Sequence, residues 1–290
     1  MTIVSVAAPQ KAAAYHAEVH KLLRPFAEMF SPALPSLLLY VGLLYPAGPE
    51  LGVNPHPQLL SSLIEWAREA GVGKISLAGR AAPGFTFRQS WRIAGYEALP
   101  IAKLHIIDLA LAPLQMRACS LALACRELAL PQPLLQADCC INVGKFRAAE
   151  GRLFGSALLN LAAMTELPVP AEVFPRALID LYSIIVPDLH VIDALRGGRG
   201  WQPQQADALL GARDAVALDM TLMAVVGLPA ESFEPIALAS QYGLCGAGAA
   251  DIYVAGDTQA LFAQQAQRNQ PQGPGKKIVG RALRRPVKRL

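Results

Sequence analysis

Three consecutive segments between Ser36 and Ala78 decide the fold: SLLLYVGLL at Ser36–Leu44, PQLLSSLIEWAREA at Pro57–Ala70 and KISLA at Lys74–Ala78. The first and last are short apolar runs, which are typical of buried strands. In the middle segment apolar residues recur at helical spacing, a proline stands at its start and Gly71 follows its end, which predicts a helix. A strand, a helix and a second strand in this order indicate a parallel sheet.

The same alternation continues along the chain. Further strands are predicted at Lys103–Leu109, Asp138–Val143, Asp188–Asp193 and Asp251–Ala255, and helices near 8–30, 57–70, 86–97, 113–129, 151–164, 171–185, 214–227, 234–243 and 257–268. We therefore expect an α/β fold with a largely parallel sheet and helices on both faces. The expected organisation is an N-terminal helical segment (1–30), an α/β domain (31–262) and a flexible basic tail (263–290).

Composition supports one buried core, since 53% of the residues are hydrophobic and 17% are charged. The longest apolar stretch, Ser31–Gly48, is interrupted by three prolines and is too short for a membrane span. The N-terminus has no basic segment followed by an apolar core, so no secretory signal is indicated and a cytoplasmic location is expected.

The net charge of +4 comes from the C-terminal end. Seven basic residues lie there without an acid: Lys276, Lys277, Arg281, Arg284, Arg285, Lys288 and Arg289. Without them, the 22 acidic residues outnumber the basic ones. This tail favours salt-sensitive contact with an acidic protein or a membrane surface, and no specific nucleic acid is expected as a partner.

The five cysteines contain no C-x-x-C pair, which argues against a disulfide framework and an ordinary zinc site. Cys139 and Cys140 are adjacent in a predicted strand, so their side chains should point to opposite faces. Buried, reduced thiols are the favoured interpretation, and an iron–sulfur role is the weaker alternative.

Several motifs together resemble the family called domain of unknown function 362. They are Asn54-Pro-His-Pro leading through a helix to Ala70-Gly and a strand, Asp138-Cys-Cys-Ile-Asn-Val, and Leu181–Ala194 followed by Arg213–Asp219, Gly243-Leu-Cys-Gly and Asp251–Gly256. The likeness covers roughly residues 36–256. It implies an α/β scaffold of the kind on which enzymes are built.

The sequence departs from this family's pattern in two places. Where the family has Lys-Pro-Asn after the first strand, this chain has Tyr45-Pro-Ala, and where it has Pro-Lys-x-Lys-Thr-His, this chain has Gly144-Lys-Phe-Arg-Ala. Lys145 retains a matching charge, Arg147 replaces a lysine, and the histidine is absent. The ferredoxin-like cluster segment often joined to the family is also missing.

Ligands of open parallel sheets usually bind beyond the carboxyl ends of the strands. The polar residues that follow the predicted strands are Tyr45, Glu50, Asn54, Arg80, Asn142, Lys145, Arg147, Asp193, Arg196 and Arg199. Asp193 ends an apolar strand and is a candidate acid/base or cation ligand, or else a turn cap. Lys145, Arg147, Arg196 and Arg199 suit a carboxylate or phosphate, with Asn142 and Asn54 beside them.

Two further aspartates belong to the candidate set. Asp214 is expected to cap the helix that follows it, with ligand binding as the other role considered. Asp219 lies in an otherwise apolar helix, where an ionised carboxylate needs a partner, so it is a candidate catalytic residue or a structural hydrogen-bond acceptor.

No metal is assigned from the sequence. His16 and His20 have the i, i+4 spacing of one helix face, but a solvated or capping role is favoured over metal binding because no metalloprotease motif is present. The Gly243–Gly248 run leads into a strand and fails as a dinucleotide fingerprint, and neither a phosphate-binding loop nor a G-x-S-x-G motif occurs.

The leading hypothesis is an enzyme, or an enzyme-derived protein, that binds a small anionic substrate or cofactor between Asn142–Arg147 and Asp193–Arg199. If the two strands that precede these segments are parallel, Lys145 or Arg147 can approach Asp193 and Arg199 at one edge of the sheet. The alternatives are a non-catalytic binding or assembly factor and, more weakly, an iron–sulfur protein using Cys139, Cys140 and Cys245. The cofactor, the substrate and the reaction are not specified by the sequence.

Overall fold

A computed structural model of the chain describes residues 2–8, 15–43, 45–100, 104–149, 152–195, 208–245 and 251–258. The strands are β1 (Thr2–Ala7), β2 (Ser36–Leu43), β3 (Lys74–Ala81), β4 (His105–Asp108), β5 (Leu114–Ala118), β6 (Glu127–Pro131), β7 (Cys139–Lys145), β8 (Arg147–Ala149), β9 (Arg152–Gly155), β10 (Leu189–Asp193), β11 (Leu209–Ala212) and β12 (Ile252–Gly256). The α-helices are α1 (Tyr15–Leu23), α2 (Pro57–Glu69), α3 (Phe87–Ile93), α4 (Gln132–Gln136), α5 (Ala157–Leu161), α6 (Phe174–Ile184), α7 (Ala215–Val226) and α8 (Glu234–Gln241). Short 3-10 helices lie at Arg24–Met29, Pro49–Leu51, Tyr96–Ala98 and Ala230–Ser232.

Eight strands form one sheet in the order β12-β1-β11-β10-β7-β2-β3-β4. Neighbouring strands are parallel except at β11, which runs antiparallel to both β1 and β10. The central strands β10, β7 and β2 are parallel, so their carboxyl ends lie at one edge of the sheet, which we call the carboxyl edge. This confirms the predicted α/β class and the largely parallel sheet.

Helices cover both faces of the sheet. On the first face, α1 and α2 pack against alternate strand residues such as Leu39, Ile141 and Val191. On the second face, α5 to α8 pack against the intervening residues, including Tyr40 and Ile192. We call these the α1/α2 face and the α5–α8 face. Within the described ranges no helix combines the length and the apolar composition needed to cross a bilayer.

Most predicted elements are present, with small shifts at their ends, but three predictions need correction. The N-terminal segment is not purely helical, because it begins with β1, which lies inside the sheet between β11 and β12. The helix predicted at 113–129 is instead the antiparallel hairpin of β5 and β6. The helix predicted at 151–164 is shorter, since β9 occupies its first part and α5 begins after Ser156.

The hairpin of β5 and β6 forms although its residues are good helix formers. Leu128 and Leu130 of β6 are buried in the core, while every residue of β5 is exposed. Tertiary packing of one strand therefore overrides the local helix preference of the segment. The helix predicted at 257–268 and the basic tail lie outside the described residues, apart from Asp257 and Thr258.

Candidate active site at the carboxyl edge

Lys145 and Asp193 meet at the carboxyl edge. They are register partners at the ends of the parallel strands β7 and β10, and Lys145 Nζ lies 2.9 Å from Asp193 Oδ1. The side chains are only 6% and 0% exposed. Ile141 and Val143 of β7 point to the α1/α2 face, so strand alternation places Lys145 on that face as well. The predicted approach of Lys145 to Asp193 is therefore present, as a buried ion pair.

Both carboxylate oxygens of Asp193 accept hydrogen bonds. The backbone N–H of Leu195 donates to Oδ1 at 3.1 Å, and the backbone N–H of His56 donates to Oδ2 at 2.9 Å. Lys145 Nζ also donates to the carbonyl oxygen of Leu195 at 3.0 Å. Asp193 thus caps the turn that follows β10 and ties it to the start of α2, which is the structural role that the sequence left open.

His56 joins this pair from the loop between β2 and α2. It is the N-cap residue of α2, and its Nδ1 accepts from the backbone N–H of Gln58 at 3.2 Å. Burial lowers the pKa of the imidazole, while the Asp193 carboxylate raises it and the Lys145 ammonium lowers it. The ring is therefore neutral at neutral pH, and Nε2 carries its hydrogen because Nδ1 acts as an acceptor.

Tyr15, the first residue of α1, is the fourth member of the cluster. Its ring stacks on the imidazole of His56, with centroids 5.3 Å apart and planes 14° apart. Burial, and then the Asp193 carboxylate, raise the pKa of the Tyr15 phenol, which stays protonated. An ammonium, a carboxylate, an imidazole and a phenol therefore converge at one end of the sheet, and we call these four residues the carboxyl-edge cluster.

Asn142 lies on the opposite face of the sheet from Lys145. Its Nδ2 donates to Ala157 O at 2.9 Å and lies 2.9 Å from His190 Nδ1, while Asn160 Nδ2 donates to Asn142 Oδ1 at 2.6 Å. Asn142 and His190 are fully buried, and burial lowers the pKa of His190 to about 3. This polar network faces α5 rather than the cluster, so the structure does not bring Asn142 together with Lys145 and Asp193.

Asp219 also belongs to the α5–α8 face. It is fully buried on α7, and its two oxygens accept from the backbone N–H groups of Ala157 (2.7 Å) and Leu158 (3.0 Å) at the start of α5. Burial raises the pKa of Asp219 to about 7, although those hydrogen bonds and one from Ser156 oppose the shift. The residue fixes α5 against α7, and it lies away from the carboxyl-edge cluster.

The remaining candidates occupy separate positions. Asn54 is buried and donates from Nδ2 to Tyr45 O at 2.8 Å, which shapes the loop that carries His56. Asp214 caps α7 by accepting from the backbone N–H groups of Val216 and Ala217, as expected for a cap. Its ligand-binding role stays a prediction. Arg80 pairs with the exposed Glu166.

The arginine candidates differ in what the structure describes. Arg147 begins β8, its side chain is buried, and burial lowers its pKa to about 10. Arg196 and Arg199 lie outside the described residues. The anion-binding roles of all three arginines stay predictions.

The two adjacent cysteines point to opposite faces of β7, as predicted. Cys139 packs in the core of the α1/α2 face and Cys140 in that of the α5–α8 face. Burial raises the pKa of both thiols, to about 12 for Cys139. The two sulfur atoms are therefore poorly placed to share one metal ion or cluster.

A cavity of about 310 Å³ opens elsewhere, between α6 and α8. It is lined by Leu123, Arg176, Leu238, Gln241 and Tyr242. None of these residues belongs to the carboxyl-edge cluster. The cavity therefore does not mark the position where the titratable groups converge.

His56 and Tyr15 are the members of the cluster that the sequence analysis did not select. A signal for His56 was present, because Asn54-Pro-His-Pro begins the helix that follows the first central strand, and such a start lies at the carboxyl edge. No local pattern marked Tyr15. Its place depends on how α1 packs beside α2, far away in the sequence.

The fold and this cluster define a class: an α/β protein with a buried lysine–aspartate pair at the carboxyl edge of its sheet. Residues 39–224 match the model of the family called domain of unknown function DUF362. The chain belongs to this family, which confirms the resemblance found in its motifs. No curated protein sequence matches the chain.

Two solved structures resemble the fold at low sequence identity. The lactate racemase apoprotein from Thermoanaerobacterium thermosaccharolyticum is 10% identical with a TM-score of 0.43, over 73% of this chain and 54% of that protein. A protein from Thermotoga maritima is 9% identical with a TM-score of 0.40, over 78% of this chain and 59% of that protein. The chain spans less than two thirds of either structure.

Proposed function

We propose that the chain binds a small anionic molecule at the carboxyl edge, as an enzyme or as a protein built on an enzyme scaffold. The observation that carries the proposal is the buried Lys145–Asp193 pair with the His56 imidazole beside it. Titratable groups that gather at the carboxyl ends of parallel strands are typical of ligand sites in α/β folds. Substrate and reaction type lie beyond this proposal.

Two donors at the cluster suit an anion. Lys145 has three N–H bonds, and Asp193 Oδ1 and Leu195 O accept two of them. In this proposal the third N–H binds the anion. The half-buried, neutral His56 supplies a second N–H at Nε2. Arg196 and Arg199, which follow β10 in the sequence, stay predicted anion ligands outside the described residues.

Asp193 has a positioning role in this proposal, in place of the acid/base role suggested by the sequence. Its oxygens already accept from Lys145, His56 and Leu195, so it holds the lysine and the start of α2 in place. His56 is the better candidate for proton transfer, because burial lowers its pKa and leaves it neutral.

The substitution His56→Asn tests the site with little effect on the fold. Asparagine is a good N-cap and keeps an acceptor for the backbone N–H of Gln58, but it removes the imidazole. A net hydrogen bond of about 1 kcal/mol corresponds to roughly fivefold in affinity. We therefore expect inorganic phosphate, titrated by calorimetry, to bind the variant about fivefold more weakly, while circular dichroism shows the same fold.

The control for this experiment is His105→Asn, because His105 is an exposed histidine on β4, away from the cluster. It should bind phosphate as the wild type does. Equal phosphate affinity in the wild type, His56→Asn and His105→Asn would show that the anion does not bind at the carboxyl-edge cluster.

The second candidate function is a non-catalytic binding or assembly factor on the same scaffold. It is favoured by the hydrogen bonding of Asp193. Both carboxylate oxygens already contact groups of the protein, in Lys145, His56 and Leu195, which is consistent with a purely structural role. Under this alternative the wild type shows no specific phosphate binding, and native mass spectrometry of the purified chain shows a protein partner instead of a small ligand.

A further inference from the structure

A second group of titratable side chains lies on the outer surface between α1 and α2. His16 and His20 are one turn apart on α1, and Glu65 and Glu69 are one turn apart on α2. Because residues four apart lie on the same helix face, each helix presents a pair of potential metal ligands to the other. The four side chains are between 40% and 54% exposed, so the group lies at the protein surface.

Three ligand atoms are close enough to share one ion. His16 Nε2 lies 3.6 Å from Glu69 Oε1, His20 Nε2 lies 3.1 Å from Glu69 Oε2, and ligand atoms of the three residues lie within 4.8 Å of one another. Tetrahedral Zn²⁺ with bonds of about 2.0–2.1 Å places neighbouring ligand atoms about 3.3 Å apart. The two nitrogen–oxygen distances, 3.6 Å and 3.1 Å, lie on either side of that value.

The fourth residue, Glu65, orients the first histidine. Its Oε2 lies 3.2 Å from His16 Nδ1, and its Oε1 accepts from Ser61 Oγ at 3.2 Å. A carboxylate that accepts from one imidazole nitrogen fixes the tautomer in which the other nitrogen is free to bind a metal. Here that other nitrogen is His16 Nε2, which faces Glu69.

His20 supplies an independent observation. Among the described residues its Nε2 is a buried atom without a hydrogen bond of acceptable geometry, although Glu69 Oε2 is 3.1 Å away. The nitrogen therefore contacts a carboxylate oxygen without a well-aligned hydrogen bond to it. A cation held between His20 and Glu69 would be a partner for this nitrogen.

We propose that His16, His20 and Glu69 bind a Zn²⁺ ion, with Glu65 as a positioning residue and water completing the coordination. Two imidazoles and a carboxylate are ligands that zinc accepts, and the exposed fourth position is open. The ion joins α1, which carries Tyr15, to α2, which carries His56. The proposal does not depend on anion binding at the carboxyl-edge cluster.

The test is calorimetric titration of the full-length chain with ZnCl₂ after chelator treatment and desalting. The wild type is expected to bind one equivalent, and His16→Ala and Glu69→Gln are expected to lose that binding. Glu65→Ala should keep the stoichiometry with affinity about tenfold weaker, since loss of an outer-shell partner costs about 10- to 100-fold. His105→Ala, a surface histidine elsewhere, is the matched control and should bind zinc normally.

Cobalt substitution separates this site from the cysteines. Co²⁺ bound by imidazole and carboxylate lacks the thiolate charge-transfer absorption that cysteine ligands produce, so the wild type should show visible d–d bands without it. Failure of the wild type to bind zinc would overturn the proposal. Unchanged binding by His16→Ala, or a thiolate charge-transfer band with cobalt, would also overturn it.

Discussion

At the scale of single residues, Asp219 is a carboxylate buried deeply enough to change its proton affinity. It accepts two backbone hydrogen bonds at the start of α5, yet desolvation dominates and raises its pKa to about 7. Such a group prefers the protonated form in the folded chain. Its ionisation therefore opposes folding, and its contribution to stability is lost as the pH rises.

The pH window follows from the two pKa values. Between about pH 4 and pH 7 the folded state binds the proton of Asp219 and the unfolded state does not, so this residue makes stability fall with rising pH. Asp219→Asn resembles the protonated acid and does not titrate. We therefore expect the free energy of unfolding of the variant, relative to that of the wild type, to increase as the pH rises across that window. Urea unfolding at pH 4.5, 6 and 7.5 measures the difference.

Asp138→Asn is the control for that measurement, because Asp138 is an exposed aspartate at the start of β7. The difference in free energy of unfolding between Asp138→Asn and the wild type should not increase with pH as the Asp219→Asn difference does. If the Asp219→Asn difference were also flat with pH, Asp219 would titrate normally in the folded chain.

At the scale of elements, the connection between β5 and β6 is held by a residue from a distant helix. Asp180 of α6 is fully buried and accepts from the backbone N–H groups of Leu123 (2.8 Å), Ala124 (2.7 Å) and Cys125 (2.8 Å). The carboxylate therefore supplies hydrogen-bond acceptors for three backbone N–H groups of the turn, which lie outside the β5–β6 pairing. This contact joins the turn between β5 and β6 to α6.

We expect Asp180→Asn to loosen this turn, because the amide keeps only one acceptor oxygen for three donors. The free energy of unfolding should fall by at least about 1.5 kcal/mol, the lower value for a hydrogen bond to a charged group. Hydrogen exchange should accelerate at the amides of Leu123, Ala124 and Cys125 more than in the sheet. Uniform acceleration throughout the chain would instead show that Asp180 stabilises the whole fold and not this turn.

At the scale of the whole molecule, β1 pairs with β12, so the first and last described strands are neighbours in the sheet. β1 pairs antiparallel with β11 and parallel with β12, so within the described residues β12 is an edge strand that pairs with β1 alone. Val4 and Val6 of β1 are buried in the core of the α5–α8 face. β1 is therefore an interior strand of the sheet.

This position predicts that Val4→Asp unfolds the chain, because an unpaired charge would be buried in the apolar core of the α5–α8 face. Thr2→Asp, at the partly exposed start of the same strand, is the matched control and should change the free energy of unfolding by less than about 1 kcal/mol. Circular dichroism and thermal melting check both variants. A folded Val4→Asp protein with a normal melting temperature would show that β1 is dispensable.

The sequence by itself determined the elements whose signal is local. Apolar runs placed β2, β3, β7 and β10, a proline and a glycine marked the ends of α2, and strand alternation sent Cys139 and Cys140 to opposite faces. Because β7 and β10 were both expected to be parallel, the sequence also predicted that Lys145 approaches Asp193. The family resemblance rested on motifs of the same local kind and was confirmed.

Only the tertiary structure decided what depends on packing between distant segments. Side-chain alternation in β7 places Asn142 and Lys145 on opposite faces of the sheet. Residues that were predicted to line one cleft therefore belong to two separate groups. The packing of α1 beside α2 brings Tyr15 to His56 and His16 to Glu65. The hairpin of β5 and β6 forms despite the helix propensity of its residues, because Leu128 and Leu130 are buried in a core formed by residues distant in the sequence. A local stretch of sequence does not contain that information.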